Sequence, residues 1–158
     1  MNGDLQFRAV PAGSGDAADL VGAMVAEMRE LYDGLDLEAP DMPKAGPAEL
    51  GPPDGVYLVG YRDGIPVCGG GLKQLTDGAC EIKRMYVDPS RRGRRLGAQL
   101  LDAAEARLRR DGYRWALLET GRDQTEALKR YHGAGYTPCA PFGGYPDNGL
   151  SLFLGKAL

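Results

Sequence analysis

The stretch from Cys80 to Glu119 constrains the fold more than any other part of the 158-residue chain. Cys80 to Val87 reads as a strand, Asp88-Pro89 breaks it, and the basic turn Arg91-Arg92-Gly93-Arg94-Arg95-Leu96-Gly97 opens a helix from about Leu96 to Asp111. Leu96, Leu100, Leu101, Ala104 and Leu108 share one face of that helix, and Gly112 stands where helices commonly end on a left-handed residue. Tyr113 to Glu119 is a second apolar strand. Two strands joined through a helix of this length pair in parallel by a right-handed crossover, which predicts an α/β fold.

The turn is also an anion site in outline. The first N–H groups of a helix lack internal partners, and the helix dipole puts partial positive charge there. Arg91, Arg92, Arg94 and Arg95 add charge-assisted hydrogen bonds, worth ~1.5–3 kcal/mol each when well formed. The expected ligand is a phosphate, and a diphosphate fits best. Gly-Lys-Ser/Thr is missing, which argues against a Walker A loop with its triphosphate and magnesium. Gly-x-Gly-x-x-Gly after the first strand is missing too, so a dinucleotide fold has little support. The competing reading is a solvated basic turn that caps a surface helix.

The remaining elements alternate around this unit. Leu5 to Val10 reads as a strand ended by Pro11, and Asp16 is placed to cap a helix carrying Ala17, Leu20, Val21, Met24, Val25, Met28 and Leu31 as an apolar stripe. Residues 33–54 hold five prolines and three glycines, which predicts a loop with at most a short helix, and loops this long usually carry function. Val56 to Arg62 and Ile65 to Leu75 flank Asp63-Gly64, a strong hairpin signal. Asp123 with Glu126 resembles a capping box for a short helix through Tyr131. Final strands near Tyr136–Cys139 and Leu150–Leu154 are joined by a Pro/Gly segment, Pro141 to Gly149, expected to bend over one sheet edge. The expected architecture is a single domain, residues 1–158, with a mixed, twisted sheet and helices on both faces.

Composition narrows the partners. Residues 1–60 hold eleven acids and three bases, and residues 61–158 hold eleven acids and sixteen bases, giving −8 and +5 and the overall −3. An acidic rim in the first part would favour a cationic ligand, though solvated surface charge explains it as well. The eight basic residues between Arg91 and Arg114 lack interleaved aromatics in an acidic chain, so no nucleic-acid partner is expected. No apolar run nears the ~20 residues that span a bilayer, and no signal peptide stands at the N-terminus, so no membrane partner is expected. Cys68, Cys80 and Cys139 are odd in number without metal spacing, which points to a reducing cytoplasm.

Glu81-Ile82-Lys83-Arg84-Met85-Tyr86-Val87-Asp88-Pro89 followed by Arg92-Gly93-Arg94-Arg95-Leu96-Gly97 resembles motif A of the GNAT superfamily of N-acetyltransferases. The resemblance continues into Ala127-Leu128-Lys129-Arg130-Tyr131-His132-Gly133-Ala134-Gly135-Tyr136, and it is strongest over residues 55 to 139. Arg95 stands where the family's first motif glycine usually falls; its N–H stays usable if φ is negative.

The resemblance implies direct transfer of an acetyl group from acetyl-CoA to an amine in a ternary complex, without a metal. The CoA diphosphate would lie on the backbone N–H groups of Gly93, Arg94, Arg95, Leu96 and Gly97, with Arg92 and Arg94 adding charge. The pantetheine arm would run along Met85, Tyr86 and Val87, and an N–H there would polarise the thioester oxygen. Tyr131 would protonate the departing thiolate, and Gln124 stands in place of the family's usual asparagine. For the base, Glu81 leads and Glu119 is second, since an alkylammonium of pKa ~10 must lose a proton before it attacks. Each has a plain alternative: Glu81 as a strand glutamate paired with Lys83 or Arg84, Tyr131 as a core aromatic. His132, the only histidine, is expected at the surface. The implied acceptor is a small-molecule amine, with a protein lysine or N-terminus as rival; a non-catalytic CoA sensor is the other reading, and the family pattern is compatible with a homodimer.

Overall fold

A computed structural model of the chain describes residues 3–158 apart from Glu38, Asp77 and Arg94. In chain order the elements are β1 (Leu5–Val10), α1 (Gly15–Leu31), β2 (Gly55–Arg62), β3 (Ile65–Thr76), β4 (Ala79–Val87), α2 (Leu96–Arg110), β5 (Trp115–Gly121), α3 (Thr125–Gly133), β6 (Thr137–Pro138) and β7 (Ser151–Ala157). The strands form one sheet in the order β1-β2-β3-β4-β5-β7-β6. Every neighbouring pair is antiparallel except β4 and β5, the parallel crossover expected from the sequence.

Alternation along the strands assigns the helices to the faces. Leu58, Leu72, Cys80, Ile82, Ala116 and Leu118 pack with Leu101, Ala104 and Leu108 of α2 and with Tyr131 of α3. Tyr57 and Val59, their neighbours on β2, point the other way and pack with Ala17 and Leu20 of α1 and with Leu50 of the long loop. The sheet is therefore covered on both sides, as expected. The β2–β3 hairpin turns on Asp63 (φ 53°) and Gly64 (φ 77°), the two left-handed residues that a tight hairpin matching strand twist requires. On β3 the run Gly69-Gly70-Gly71 makes room for this packing. A Cβ at Gly69 would come 2.7 Å from the Tyr57 hydroxyl oxygen, and one at Gly71 would come 2.8 Å from Leu50 Cδ1.

Several local expectations are corrected. Ser14, not Asp16, is the N-cap residue of α1, and Asp16 instead accepts a 2.8 Å hydrogen bond from the Tyr61 hydroxyl. The N-cap of α3 is Gln124 without a side-chain cap, so Asp123 and Glu126 form no capping box. β5 begins at Trp115 because Tyr113 N–H is drawn back to the Leu108 carbonyl (3.0 Å), closing the end of α2. β6 is only two residues long, and β7 runs on to Ala157 because that residue pairs with Trp115.

Candidate active site

The basic turn is built by local hydrogen bonds. Asp88 accepts from Ser90 N–H (2.9 Å) and from the Ser90 hydroxyl (2.7 Å), which shapes a short 3-10 turn over Pro89–Arg91. Gly93 (φ 87°) and Arg95 (φ 60°) then take left-handed conformations before α2 begins. The condition of a negative φ at Arg95 is therefore not met: an L-residue accepts the strain that glycine would avoid. No acidic residue lies in the first turn of α2, and Arg95 makes no side-chain cap. Arg130 reaches across from α3; a Cβ on Gly97 would lie 2.7 Å from its guanidinium carbon. Gly97 thus lets a cation approach the helix N-terminus closely. Arg92 is engaged elsewhere. Its guanidinium donates to both Glu27 carboxylate oxygens (2.8 and 2.7 Å) and lies 5.5 Å from the centre of the Tyr86 ring, while Nε donates to the Val87 carbonyl. Arg94 lies outside the described residues.

Beside this turn, β4 and β5 part. They pair only at Ala79↔Trp115, Cys80↔Ala116 and Glu81↔Leu117, and beyond Glu81 the β5 side of β4 has no strand against it among the described residues. Toward β3 the register shifts by one between Lys83 and Tyr86, and Arg84 sits at φ 57°. This bulge increases the local twist and re-aims the strand as it leaves its neighbour. A groove of about 670 Å³ follows the opened edge, lined by Met85, Tyr86 and Val87, by Arg92, Gly93, Arg95, Leu96 and Gly97, and by Gln124, Arg130 and Tyr131.

A smaller cavity of about 140 Å³ lies in the gap itself, walled by Met24, Met28, Leu37, Met42 and Pro43 and carrying Lys83, Arg84, Glu119 and Tyr145. Glu81 is completely buried just behind it. Tyr145 covers Glu81, donating a short hydrogen bond to Oε2, and itself accepts from Lys83 Nζ at 3.0 Å. Lys83 Nζ is 3.7 Å from the same carboxylate oxygen, and Glu81 Oε1 has no hydrogen-bond partner among the described residues. Phe142 and Phe153 hold the Tyr145 ring by edge-to-face contacts at 6.3 and 5.8 Å. Burial pushes the Lys83 ammonium down, against the opposing pull of Glu81. It pushes the Glu119 carboxyl up, with the Glu81 charge adding to it, and the Tyr145 phenol up for the same two reasons.

Comparison with known proteins decides the family. The model of the acetyltransferase (GNAT) family matches residues 23–136. The chain belongs to the GNAT family. It is 39% identical over 110 residues to the IAA acetyltransferase of Azospirillum brasilense, covering 69% of this chain and 72% of that one. A solved chain of the acyl-CoA N-acyltransferase type from Klebsiella pneumoniae subsp. pneumoniae is 28% identical with a TM-score of 0.79, over 98% of this chain and 97% of that one. A GNAT family acetyltransferase from Elizabethkingia anophelis, solved with acetyl-CoA bound, has the same fold at 18% identity, with a TM-score of 0.70 over 98% of both chains.

Within this GNAT fold, Tyr131 stands where groove and cavity meet, since Met24, Met28, Met85, Gln124 and Tyr131 line both. It is almost fully buried, its hydroxyl is 3.9 Å from Met85 sulfur, and burial pushes its phenol above the ordinary value. Gln124 donates to Met28 sulfur at 3.7 Å. Glu119 lines the cavity directly, whereas Glu81 reaches it only through Tyr145. His132 is exposed, with Nδ1 3.2 Å from the Tyr136 carbonyl oxygen, so the expectation of a surface place holds. Tyr145, Lys83 and Arg130 escaped the sequence reading as site residues. The Pro141–Gly149 segment does more than cover an edge, because it folds back to set Tyr145 on Glu81. Among the described residues, the loop of residues 33–54 contributes apolar Leu37, Met42 and Pro43 to the cavity. A further cavity of about 820 Å³ at the other end of α2, near Arg107, Asp111 and Pro47, is lined by none of the expected site residues among the described ones.

Proposed function

We propose that this GNAT enzyme moves the acetyl group of acetyl-CoA directly to the primary amine of a small molecule, within a ternary complex. One observation carries the reading: Tyr131 is shared by the cationic groove and the small cavity, so a thioester lying in one meets an amine lying in the other. The groove suits acetyl-CoA. The diphosphate would take the N-terminus of α2, with Arg130 and Arg92 as counter-charges, and the unpaired edge of β4 at Met85–Val87 would take the pantetheine amides. The acetyl-CoA bound by the Elizabethkingia relative supports this choice of donor. A narrow cavity favours a small amine over a folded protein surface.

The amine nitrogen attacks the thioester carbon, a C–N bond forms and the C–S bond breaks. Tyr131 gives its proton to the departing sulfur, which a neutral phenol does well at pH 7. The amine proton passes to the Tyr145 oxygen as the phenol proton of Tyr145 moves to Glu81, so Glu81 acts through its cover. An acceptor that binds as an ammonium gives its extra proton to solvent before the attack, and the proton then released by the neutral amine balances the one given to the thiolate. A second reading makes Glu119 the direct base; its carboxyl faces the cavity and burial raises its affinity for protons.

Thiol-release kinetics on variants test these roles. Tyr131→Phe is expected to lower kcat about 10²-fold while acetyl-CoA affinity by calorimetry stays the same, since the lost interaction belongs to the transition state. Glu81→Gln and Tyr145→Phe should flatten the rise of kcat/KM with pH to the same degree. If Glu119→Gln alone flattens it, the direct base is right. A Tyr131→Phe enzyme with full kcat refutes the acid role.

A further inference from the structure

The charges around the acceptor cavity go beyond an amine site. A cationic amine needs one carboxylate, and a polyamine or aminoglycoside needs an excess of them. Among the described residues, Lys83 and Arg84 line the cavity beside the carboxylate Glu119, and a further carboxylate, Glu81, is buried behind Tyr145. Lys83 is an unusual choice for that position. Its side chain is 9% exposed, its ammonium lies 5.0 Å from the centre of the Tyr145 ring, and it makes one hydrogen bond to the Tyr145 hydroxyl. An ammonium carries three donors, and Glu81 at 3.7 Å is an ion-pair contact longer than a hydrogen bond. Burying a lysine this far is costly unless its charge is used. The remaining wall is apolar: Met24, Met28, Leu37, Met42 and Pro43, with flexible methionines that adapt to an irregular aliphatic chain.

We infer that the acceptor is a small zwitterion, an apolar α-amino acid whose carboxylate is held by Lys83 beside Arg84, whose amine faces Glu119 and Tyr145, and whose side chain lies on the methionine and proline wall. This rests on the acetyl-transfer reading above and narrows its substrate class. The reaction forms one N-acetyl bond on the α-amine and releases CoA thiol. A peptide N-terminus, a protein lysine and a simple alkylamine all lack the adjacent carboxylate, so the same site discriminates against them by leaving the remaining Lys83 donors without an acceptor.

The test compares three acceptors that share the methionine side chain and amine, with acetyl-CoA as donor: methionine, methioninamide and 3-(methylthio)propylamine. Acetyl-CoA binding is measured separately by calorimetry. With wild-type enzyme, kcat/KM for methionine should exceed the other two at least 10-fold, chiefly through KM. Lys83→Met should collapse that ratio toward one, and Lys83→Arg, which keeps the charge, should retain most of it. Circular dichroism and an unchanged acetyl-CoA Kd establish that each variant is folded. Equal or better use of the amide or the amine overturns the inference and leaves acetyl transfer standing. So does acetyl-CoA binding without turnover of methionine, or a ratio that survives Lys83→Met. Absence of acetyl-CoA binding would instead overturn the acetyl-transfer reading beneath it.

Discussion

Glu27 on α1 holds the one described arginine of the turn that forms a two-pronged ion pair, and this sets up a counter-intuitive outcome: removing it should tighten acetyl-CoA binding. In the free enzyme the Arg92 guanidinium spends both terminal nitrogens on the Glu27 carboxylate at 2.8 and 2.7 Å. A diphosphate arriving at Gly93–Gly97 competes for the same donors, and it meets a carboxylate on the groove wall. The side chains are 45% and 31% exposed, so the pair is solvent-screened and worth about 0.5–1 kcal/mol, not the larger value of a buried one. Releasing that amount corresponds to about 2–5-fold in affinity, since 1.4 kcal/mol is tenfold. Loss of the repelling charge adds to this at low ionic strength and fades as salt rises. The experiment is calorimetric titration of Glu27→Gln and wild type with acetyl-CoA at low and high salt. A Kd that rises in Glu27→Gln refutes the competition argument, because Glu27 would then be serving to hold Arg92 in its binding position.

Two further outcomes concern stability and pH. Glu105 is buried on α2 and accepts from the Tyr136 hydroxyl (3.0 Å) and from Lys156 Nζ (2.7 Å), tying α2 to the far strands. Glu105→Ala leaves the Tyr136 hydroxyl and the half-buried ammonium without their acceptor, at a cost of about 2–4 kcal/mol. Thermal unfolding should show a Tm lower by roughly 5–15 °C, with Tyr136→Phe adding little on top. At Glu119, burial raises the folded-state proton affinity above that of the unfolded chain. The native state therefore binds more protons than the unfolded state, and this residue's contribution to stability falls as pH rises through that interval. Glu119→Gln should be the more stable protein in denaturant titrations at neutral pH, with the gap closing below the ordinary glutamate range.

Elements whose signals are local were legible in the sequence. β4, α2 and the Asp63-Gly64 hairpin lie within a residue or so of expectation, because strand breakers, a one-faced leucine stripe and an obligatory left-handed turn each act over a few residues. The start of β5 was misread because Tyr113 looks like a strand residue, yet its N–H closes the helix end. The turn and Tyr131 were found through a sequence pattern that spans contiguous residues. The rest of the site depends on distant meetings that no periodicity encodes. Tyr145 lies 64 positions from Glu81, and Glu27 lies 65 from Arg92. Lys83, on a strand, reads as an ordinary solvated base until the loop carrying Tyr145 folds over it. Arg130 reaches the turn only because Gly97 has no side chain, a fact about shape.

The three-rung seam between β4 and β5 bears on how long the enzyme lasts as well as on what it does. The sheet is in effect two panels, β1 to β4 and β5 to β7, joined by a short seam, by the core shared under α2 and by the tie from α2 through Glu105. A cofactor arm lying along the free edge of β4 would act as a removable plank across the gap. Because such a plank binds the folded form alone, its free energy of binding is added to the resistance of the whole sheet against opening. A bound donor would then lengthen the life of the folded protein as well as being consumed by it.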